Sequence, residues 1–304
     1  MNVLVATSGD TGSAVANGFL GVEGVHVYVL YPKGRVSHIQ ECQFTTLGGN
    51  VTAVAVDGSF DDCQRLVKQA FVDDDLKARM NLTSANSINV ARFLPQAFYY
   101  FYAVAQMFRI KGYGNAPVIC VPSGNFGNLC AALFAHEMGL PVRRFIAANN
   151  ANDVFLNWLR TGCYEPMASR RTIANAMDVG NPSNFARILD LYGGSHGRIT
   201  DLISGAAYAD GEIRDAMRRC YEQTGYVLDP HGACGYQALK DLLLPGETGV
   251  FCETAHPAKF KETVDETLGI DLPIPERLRA FMRGEKRAVP LAADFGEFKE
   301  FLLK

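Results

Sequence analysis

Short apolar runs alternate along the chain with longer segments in which apolar residues recur every three or four positions. An apolar run of about 4 to 8 residues predicts a buried β-strand, and a recurrence near every 3.6 residues predicts an amphipathic helix. In the first third of the chain, strands are predicted at 3–6, 25–31, 51–56 and 81–84. The helices between and after them are predicted at 12–20, 37–47, 61–78 and 91–108.

The alternation resumes after a polar, glycine-containing break at 111–115. Strands are predicted there at 118–121, 142–148 and 249–252, and helices at 129–138, 210–224, 235–243 and 258–268. Residues 149–200 are rich in Asn, Asp, Pro and Gly and are predicted to be loops, and the amphipathic tail is expected to pack on the surface. Strand–helix alternation predicts an α/β fold with two open, mostly parallel sheets, a smaller lobe at 1–110 and a larger lobe at 111–304.

Composition narrows the classes of protein that fit. The 304 residues are 48% hydrophobic and 20% charged, which is typical of a globular chain with a substantial core. The net charge of −3 gives no reason to expect nucleic acid or a membrane as partner, and no apolar run approaches the length of a membrane span. The eight cysteines and six histidines are dispersed without metal-ligand spacing. We therefore expect a cytoplasmic protein whose cysteines are small core residues, with no metal site.

The first polar turn follows the first strand almost immediately. In VATSGDTGSAVANGF, residues 5–19, Ser8, Asp10 and Thr11 stand among two glycines and lead into a small, apolar helix. Unpaired N–H groups at a helix N-terminus and the positive end of the helix dipole make such a turn a cradle for an anion. The alternative is an ordinary tight connection between a strand and a helix.

A second turn of the same kind follows the strand at 118–121. The sequence PSGNFGN, residues 122–128, places Gly124 and Gly127 where the backbone can approach a ligand closely, with Ser123 and Asn125 adding polar side chains. None of these groups titrates near neutral pH, so the turn resembles a phosphate-binding loop more than an acid–base site. The alternative here is a loop that only caps its helix.

Two further clusters carry polar residues at strand ends. Asn86 and Ser87 precede Arg92 on an emerging helix, where a guanidinium could bind phosphate oxygens in a forked geometry, unless Arg92 is simply a solvated surface charge. Thr254 and His256 follow a predicted strand at 249–252. Thr254 is well placed for a ligand, whereas His256 is expected to be a packed or capping histidine.

Taken in order, these motifs resemble the threonine synthase family. The motifs are TSGDTG, NSIN followed by Arg92, PSGNFGN, NAMDVGNPSNF at 175–185, DPHGA at 229–233 and ETAHPAKFKE at 253–262. The resemblance spans essentially the whole chain. It implies the fold-type II architecture of pyridoxal-phosphate enzymes, similar to the tryptophan synthase β subunit, with the first lobe incomplete.

The resemblance also implies a cofactor and the residues that hold it. The cofactor is pyridoxal 5′-phosphate, and the family's glycine-rich loop binds its phosphate. The matching residues here are Ser123, Gly124, Asn125, Phe126, Gly127 and Asn128. Thr254 matches the threonine that hydrogen-bonds the pyridine nitrogen. Asp10 stands where related enzymes often carry an asparagine that contacts the phenolic oxygen of the cofactor.

The implied reaction converts O-phospho-L-homoserine and water to L-threonine and phosphate, the last step of threonine biosynthesis. Ser8 and Thr11 would bind the substrate carboxylate, and Asn86, Ser87 and Arg92 would bind the substrate phosphate. The relatives suggest a monomer or homodimer. Two alternatives remain open: another fold-type II enzyme such as a threonine dehydratase, or a noncatalytic protein that binds pyridoxal phosphate or a phospho-amino acid.

One family feature has no match in these 304 residues. The Schiff-base lysine of the family lies in a His-Gly-Pro-Thr…Phe-Lys-Asp stretch upstream of TSGDTG, and none of the lysines here has that context. We therefore name no catalytic residue, and we expect a truncated or split enzyme, or one whose start was assigned too late. The chain by itself is expected to be inactive.

Overall fold

The structure is a computed structural model that describes residues 1–86, 89–112 and 114–304. Its strands are β1 (Asn2–Ala6), β2 (His26–Pro32), β3 (Val51–Asp57), β4 (Leu82–Ser84), β5 (Val118–Pro122), β6 (Arg144–Asn149), β7 (Ile203–Ala207), β8 (Gly249–Phe251) and β9 (Val289–Ala292). Its helices are α1 (Asp10–Phe19), α2 (His38–Thr45), α3 (Phe60–Val72), α4 (Asp74–Arg79), α5 (Val90–Phe93), α6 (Ala97–Lys111), α7 (Gly127–Glu137), α8 (Val154–Thr161), α9 (Phe185–Leu191), α10 (His196–Leu202), α11 (Asp210–Thr224), α12 (Pro230–Leu242), α13 (Lys261–Leu268), α14 (Glu276–Met282) and α15 (Phe295–Leu303). Single 3₁₀ turns occupy Leu94–Gln96, Asn175–Met177 and Pro257–Phe260.

The first unit is built on a parallel sheet of order β4-β1-β2-β3-β9. Its inner strands are apolar on both faces, as a sheet covered by helices on both sides requires. Residues 3–6 of β1 are fully buried, and Val27, Val29 and Tyr31 of β2 lie in the same core as Phe44 of α2. The polar TSGDTG turn therefore sits at the carboxyl end of a buried strand.

The second unit repeats this arrangement with a parallel sheet of order β7-β6-β5-β8. The central strand β5 is buried along its whole length, and α7, which follows it, buries its small and apolar residues in the same core. Open parallel sheets bind ligands at the carboxyl ends of their strands, and the PSGNFGN turn begins at that end of β5. The predicted fold class is therefore confirmed.

The units do not divide at the predicted residue 110. The first contains 1–86, 258–261 and 271–304, and the second contains 87–257 and 262–270. The tail joins the first unit because β9 extends the sheet beside β3, with Val54 opposite Val289, and because Phe298 of α15 is fully buried. Helix α6 joins the second unit, where the Tyr100 hydroxyl donates to the carbonyl of Asn128 at 2.8 Å.

Several elements differ from their predicted bounds for local reasons. The helix predicted at 61–78 is two helices, because the Asp73 carboxylate accepts from the N–H of Leu76 at 2.9 Å and starts α4. The segment predicted as loops at 149–200 contains α8, α9 and most of α10, and β7 follows at its end. These helices are seven or eight residues long, too short for their periodicity to stand out.

The remaining expectations from composition concern the cysteines, metal ligands and membrane-spanning segments. Six cysteines are buried and Cys252 is half-buried, as expected of core residues, whereas Cys163 is exposed. Across the described ranges, no group of three or more His, Cys, Asp or Glu side chains could hold a metal ion. Within the same ranges, no helix combines the length and apolar character needed to cross a membrane.

Candidate active site

The TSGDTG turn of the first unit is held by Thr7. The Thr7 hydroxyl oxygen accepts from the N–H of Gly9 at 2.9 Å and from the N–H of Gly12 at 2.8 Å. Gly9 has φ 142°, a conformation that favours glycine, and a Cβ on Gly12 would lie 2.4 Å from the Thr7 methyl group. Threonine and two glycines therefore fix the path of the turn into α1. The sequence analysis had assigned no role to Thr7.

Other donors of this turn remain open. Within the described part of the chain, the backbone N–H groups of Ser8, Asp10 and Thr11 have no hydrogen-bond acceptor. The side chain of Gln40 is fully buried beneath Gly9, and its Nε2 amide group also lacks a partner there. These three residues are half-buried and Gln40 is fully buried, so a turn with several open donors at a helix N-terminus is suited to an anionic ligand. The turn predicted to bind a carboxylate thus presents open backbone donors.

Asp10, the carboxylate of this turn, is paired within the first unit. Its Oδ1 atom lies 2.6 Å from the Nζ atom of Lys259. The main chain of Lys259 is itself anchored, because the Ser37 hydroxyl donates to its carbonyl at 2.7 Å. The charge of Asp10 is therefore balanced by Lys259, a cation within the ETAHPAKFKE motif.

The PSGNFGN turn of the second unit is centred on Phe126. Phe126 is left-handed, with φ 58° and ψ 16°, and no other non-glycine residue in the described ranges has a positive φ. Its ring is buried against that of Phe155, with centroids 4.5 Å apart, so packing holds the unusual backbone. The N–H groups of Gly124, Phe126, Gly127 and Asn128 have no acceptor in the structure described. Such a run of N–H groups around a left-handed residue forms a concave anion site.

Ser123 and Asn128 bind the turn itself, and Asn125 binds the segment at 183–184. The Ser123 hydroxyl donates to Asn128 Oδ1 at 2.5 Å, and Asn128 Nδ2 donates to the carbonyl of Pro122 at 2.9 Å. Asn125 Oδ1 accepts from the N–H of Ser183 at 2.6 Å, and Asn184 Nδ2 donates to the Asn125 carbonyl at 2.8 Å. The side chains therefore shape the turn, and the open donors belong to the backbone.

Gly124 is pressed against a second loop, and His231 holds that loop. A Cβ on Gly124 would lie 2.5 Å from the Cα atom of Met177. The N–H of Ala176 donates to Nε2 of His231 at 3.1 Å, and Nδ1 of His231 lies 2.6 Å from Oδ1 of the buried Asp229. Because Nε2 accepts, we assign the proton to Nδ1, which donates to Asp229. The DPHGA motif contains both His231 and Asp229, but its spacing gives no sign of the bond to Ala176.

Thr254 follows β8 and its side chain is exposed, as a residue that meets a ligand must be. Its neighbour Glu253 is exposed as a residue, but its carboxyl group lies against Gly232 and beside Asp229. Burial of the carboxyl group, reinforced by the Asp229 charge, raises the pKa of Glu253 to about 9. The raised pKa favours the protonated form of Glu253, which places no negative charge next to Thr254.

The residues predicted to bind a substrate phosphate have different surroundings. The Asn86 side chain pairs with the main chain of β1, accepting from the N–H of Ala6 at 2.9 Å and donating to its carbonyl at 2.6 Å. Ser87 lies outside the described residues. Arg92, in the second unit, is half-buried, and burial lowers its pKa. A partly desolvated guanidinium favours a bound anion more than a solvated surface charge would.

Comparison with known proteins identifies the class and then the family. Residues 1–251 match the family model described as pyridoxal-phosphate dependent enzyme, so the fold and both turns belong to that class. Residues 232–302 match the model described as threonine synthase, C-terminal. The threonine synthase of Haemophilus influenzae is 47% identical over 304 residues, which cover all of this chain and 71% of that protein. The chain belongs to the threonine synthase family.

Solved structures agree with this assignment. The crystal structure of threonine synthase from Escherichia coli superposes with a TM-score of 0.94 at 46% identity, over all of this chain and 70% of that one. A threonine synthase from Brucella melitensis with bound pyridoxal phosphate gives 0.85 at 31% identity, over 99% and 70%. The chain thus spans about 70% of the length of these relatives.

The second unit fits the phosphate of the cofactor. Four backbone N–H groups around Phe126 lack acceptors among the described residues, and no acidic side chain belongs to the turn. A phosphate dianion takes several such donors, and a turn without acidic side chains does not repel it. This part of the structure therefore suits pyridoxal phosphate.

Proposed function

We propose that this chain serves the conversion of O-phospho-L-homoserine and water to L-threonine and phosphate. Membership of the threonine synthase family supports the proposal, and one structural observation carries it: the open N–H groups at Gly124, Phe126, Gly127 and Asn128. A dehydratase of the same fold would share that cofactor loop, but it would have no use for the half-buried guanidinium of Arg92.

Each unit contributes separate binding groups in this proposal. When bound, pyridoxal phosphate supplies an electron sink for negative charge on the substrate carbons. The turn 123–128 holds the cofactor phosphate, and Thr254 offers its hydroxyl to the ring nitrogen. A hydroxyl does not hold that nitrogen protonated as a carboxylate would, and the neutral Glu253 adds no charge. Residues of this kind would suit elimination and replacement.

The first unit binds the substrate carboxylate in the proposal. The open N–H groups of Ser8, Asp10 and Thr11 are the donors, and Thr7 keeps them in place. Asn86 acts indirectly by fixing the end of β1, where the turn begins. Arg92 and Ser87 bind the substrate phosphate.

The lysine that binds the cofactor covalently has no match in these 304 residues, so we propose that they do not turn over substrate alone. Incubation with pyridoxal phosphate and borohydride should leave no pyridoxyl group on any lysine in peptide mass spectrometry. A pyridoxyl group on Lys259 or Lys33 would contradict this expectation. Noncatalytic binding of the cofactor is the second candidate function, and covalent attachment would also contradict it.

We further propose a cytoplasmic location, supported by the free cysteines, and a monomer or homodimer.

The cofactor loop is tested by Gly124→Val. The branched side chain would meet the Met177 backbone and displace the loop that supports the turn, so calorimetric binding of inorganic phosphate and of pyridoxal phosphate should be lost. Gly197→Ala is the matched control, because a Cβ there meets no atom within 4 Å. Unchanged binding in a folded Gly124→Val protein would reject the assignment.

The substrate class is tested by Arg92→Lys. A forked guanidinium–phosphate contact contributes about 1.5–3 kcal/mol, and lysine cannot reproduce its geometry, so affinity for O-phospho-L-homoserine should fall about tenfold or more. Affinity for L-homoserine should not change. The control is Arg109→Lys, at an exposed position near the end of α6. If Arg92→Lys and the wild type bind O-phospho-L-homoserine equally well, other residues bind its phosphate.

A further inference from the structure

The carboxylate loop of the first unit carries a carboxylate of its own. Asp10 is the first residue of α1, directly between the open N–H groups of Ser8 and Thr11. A negative charge at a helix N-terminus is favourable for the helix, but it repels a second anion brought to the same turn. A turn that binds a substrate carboxylate therefore needs Asp10 to be neutralised.

Lys259 is placed to do this. Its Nζ atom lies 2.6 Å from Asp10 Oδ1, and both side chains are half-buried, at 20% and 27% exposure. The segment that carries it is fixed, because Ala258 is buried against Ile39 and Leu278 and the Lys259 carbonyl accepts from Ser37. The cation is thus held beside the turn by packing on α2 and α14.

Helix stability alone does not account for the pair. Asp10 already interacts favourably with the positive end of α1 without a cation, and an ion pair that water still reaches contributes little to folding. The same pairing has a large effect on an incoming anion, because it changes the net charge of the turn from negative to zero.

We propose that Lys259 determines the affinity of this turn for a carboxylate by balancing the charge of Asp10. The inference rests on the proposed carboxylate loop. It assigns Lys259 an indirect role, since Asp10 is its partner and the ligand is bound by the backbone N–H groups. An amide at position 10 would remove the need for the lysine.

The test is a double-mutant cycle at positions 10 and 259, in which calorimetry measures ligand binding by the 304-residue chain with pyridoxal phosphate present. Lys259→Met should weaken O-phospho-L-homoserine binding about tenfold or more, since like charges placed together cost several kcal/mol. Asp10→Asn should strengthen it, because the lysine is then an uncompensated cation. The double variant Asp10→Asn/Lys259→Met should bind about tenfold more tightly than Lys259→Met alone. Lys261→Met, which removes the pair of Lys261 with Asp271, is the control on the same segment.

The outcomes separate this inference from the proposed function. If Lys259→Met binds like the wild type, or if the double variant is as weak as Lys259→Met, the balancing role is overturned. The decarboxylated analogue 3-aminopropyl phosphate should bind the wild type more weakly and ignore Lys259→Met. If the wild type does not prefer O-phospho-L-homoserine to the analogue, the carboxylate loop itself is misassigned. Lys259→Gln replaces Lys259→Met if circular dichroism shows that the latter is unfolded.

Discussion

The two glycine-rich turns each end a buried strand and begin a helix, yet they are held in different ways. In the first unit, one side chain, Thr7, binds two N–H groups of the turn from within it. In the second unit, the turn is supported from outside by Asn184 and by the loop that His231 holds. The first turn carries the charge of Asp10 with its cation, and the second has no ionisable side chain. One sequence pattern thus produces a charge-balanced cradle and a neutral one.

The largest effect should come from replacing His231, which holds the loop that supports the second turn. His231→Leu removes the acceptor of the Ala176 N–H and the side-chain donor to the buried Asp229 carboxylate, and the two lost hydrogen bonds together should cost about 3–5 kcal/mol of the free energy of unfolding. Phosphate affinity should fall with it, and hydrogen exchange at the Ala176 amide should accelerate. His231→Gln retains an acceptor and should restore the affinity. Equal phosphate binding by a folded Leu variant would show that the turn does not need the loop.

The first turn should be most sensitive at Thr7. Thr7→Val keeps the shape but removes the oxygen that accepts from Gly9 and Gly12, and each stranded buried N–H costs about 1–3 kcal/mol. We therefore expect urea denaturation to show a loss of about 2–4 kcal/mol. Thr7→Ser keeps the oxygen and should lose less. A Val variant as stable as the wild type would mean that water or another group satisfies the two donors.

A smaller effect should come from Glu253, the neighbour of Thr254 in the second unit. The pKa of Glu253, about 9 against an ordinary 4.5, means that its contribution to stability is greatest at low pH and is lost as pH rises from about 4.5 to about 9. Glu253→Gln imitates the protonated form, so it should be more stable than the wild type at pH 8.5. The gain should be about 1 kcal/mol, because exposure of the residue allows screening by water. Denaturation at pH 5.5 should show a smaller difference, and the opposite trend would contradict the neutral carboxyl.

The smallest effect should come from Ser123→Ala in the second turn. The variant removes one hydrogen bond to Asn128, whose side chain keeps its bonds to Pro122 and Leu129. A loss of about 0.5–1 kcal/mol in thermal or chemical denaturation is expected. A loss as large as that of Thr7→Val would show that the two turns depend equally on one hydroxyl.

The sequence was sufficient for the elements with local signals. The strands near 3–6 and 118–121 and both glycine-rich turns were predicted where the structure has them, because apolar runs and turn residues act over short distances. The return of β9 to the first sheet was not predictable, since a four-residue strand carries no mark of its partner. The first stretch of the first unit ends at residue 86 and not at 110 because α6 packs in the second unit, a contact that its own residues do not reveal.

The site shows the same limit at the level of side chains. The motifs located the turns, but they did not reveal that Thr7, His231 and Lys259 hold them. His231 acts on Ala176, which is 55 residues away in sequence, and Lys259 pairs with Asp10 across 249 residues. Hydrogen bonds of this kind depend on the assembled fold, and no local spacing predicts them.

The pairing of β9 with β3 has a consequence for synthesis on the ribosome. About 230 residues separate the two strands, so at usual rates the edge of β3 waits roughly 10–50 s for its neighbour. The second unit, complete by residue 270, is fully translated before β9 can be added to the sheet of the first unit. An open edge strand is a site for mispairing and aggregation. The N-terminal part of the chain, although made first, is therefore the part that should depend most on chaperones during translation.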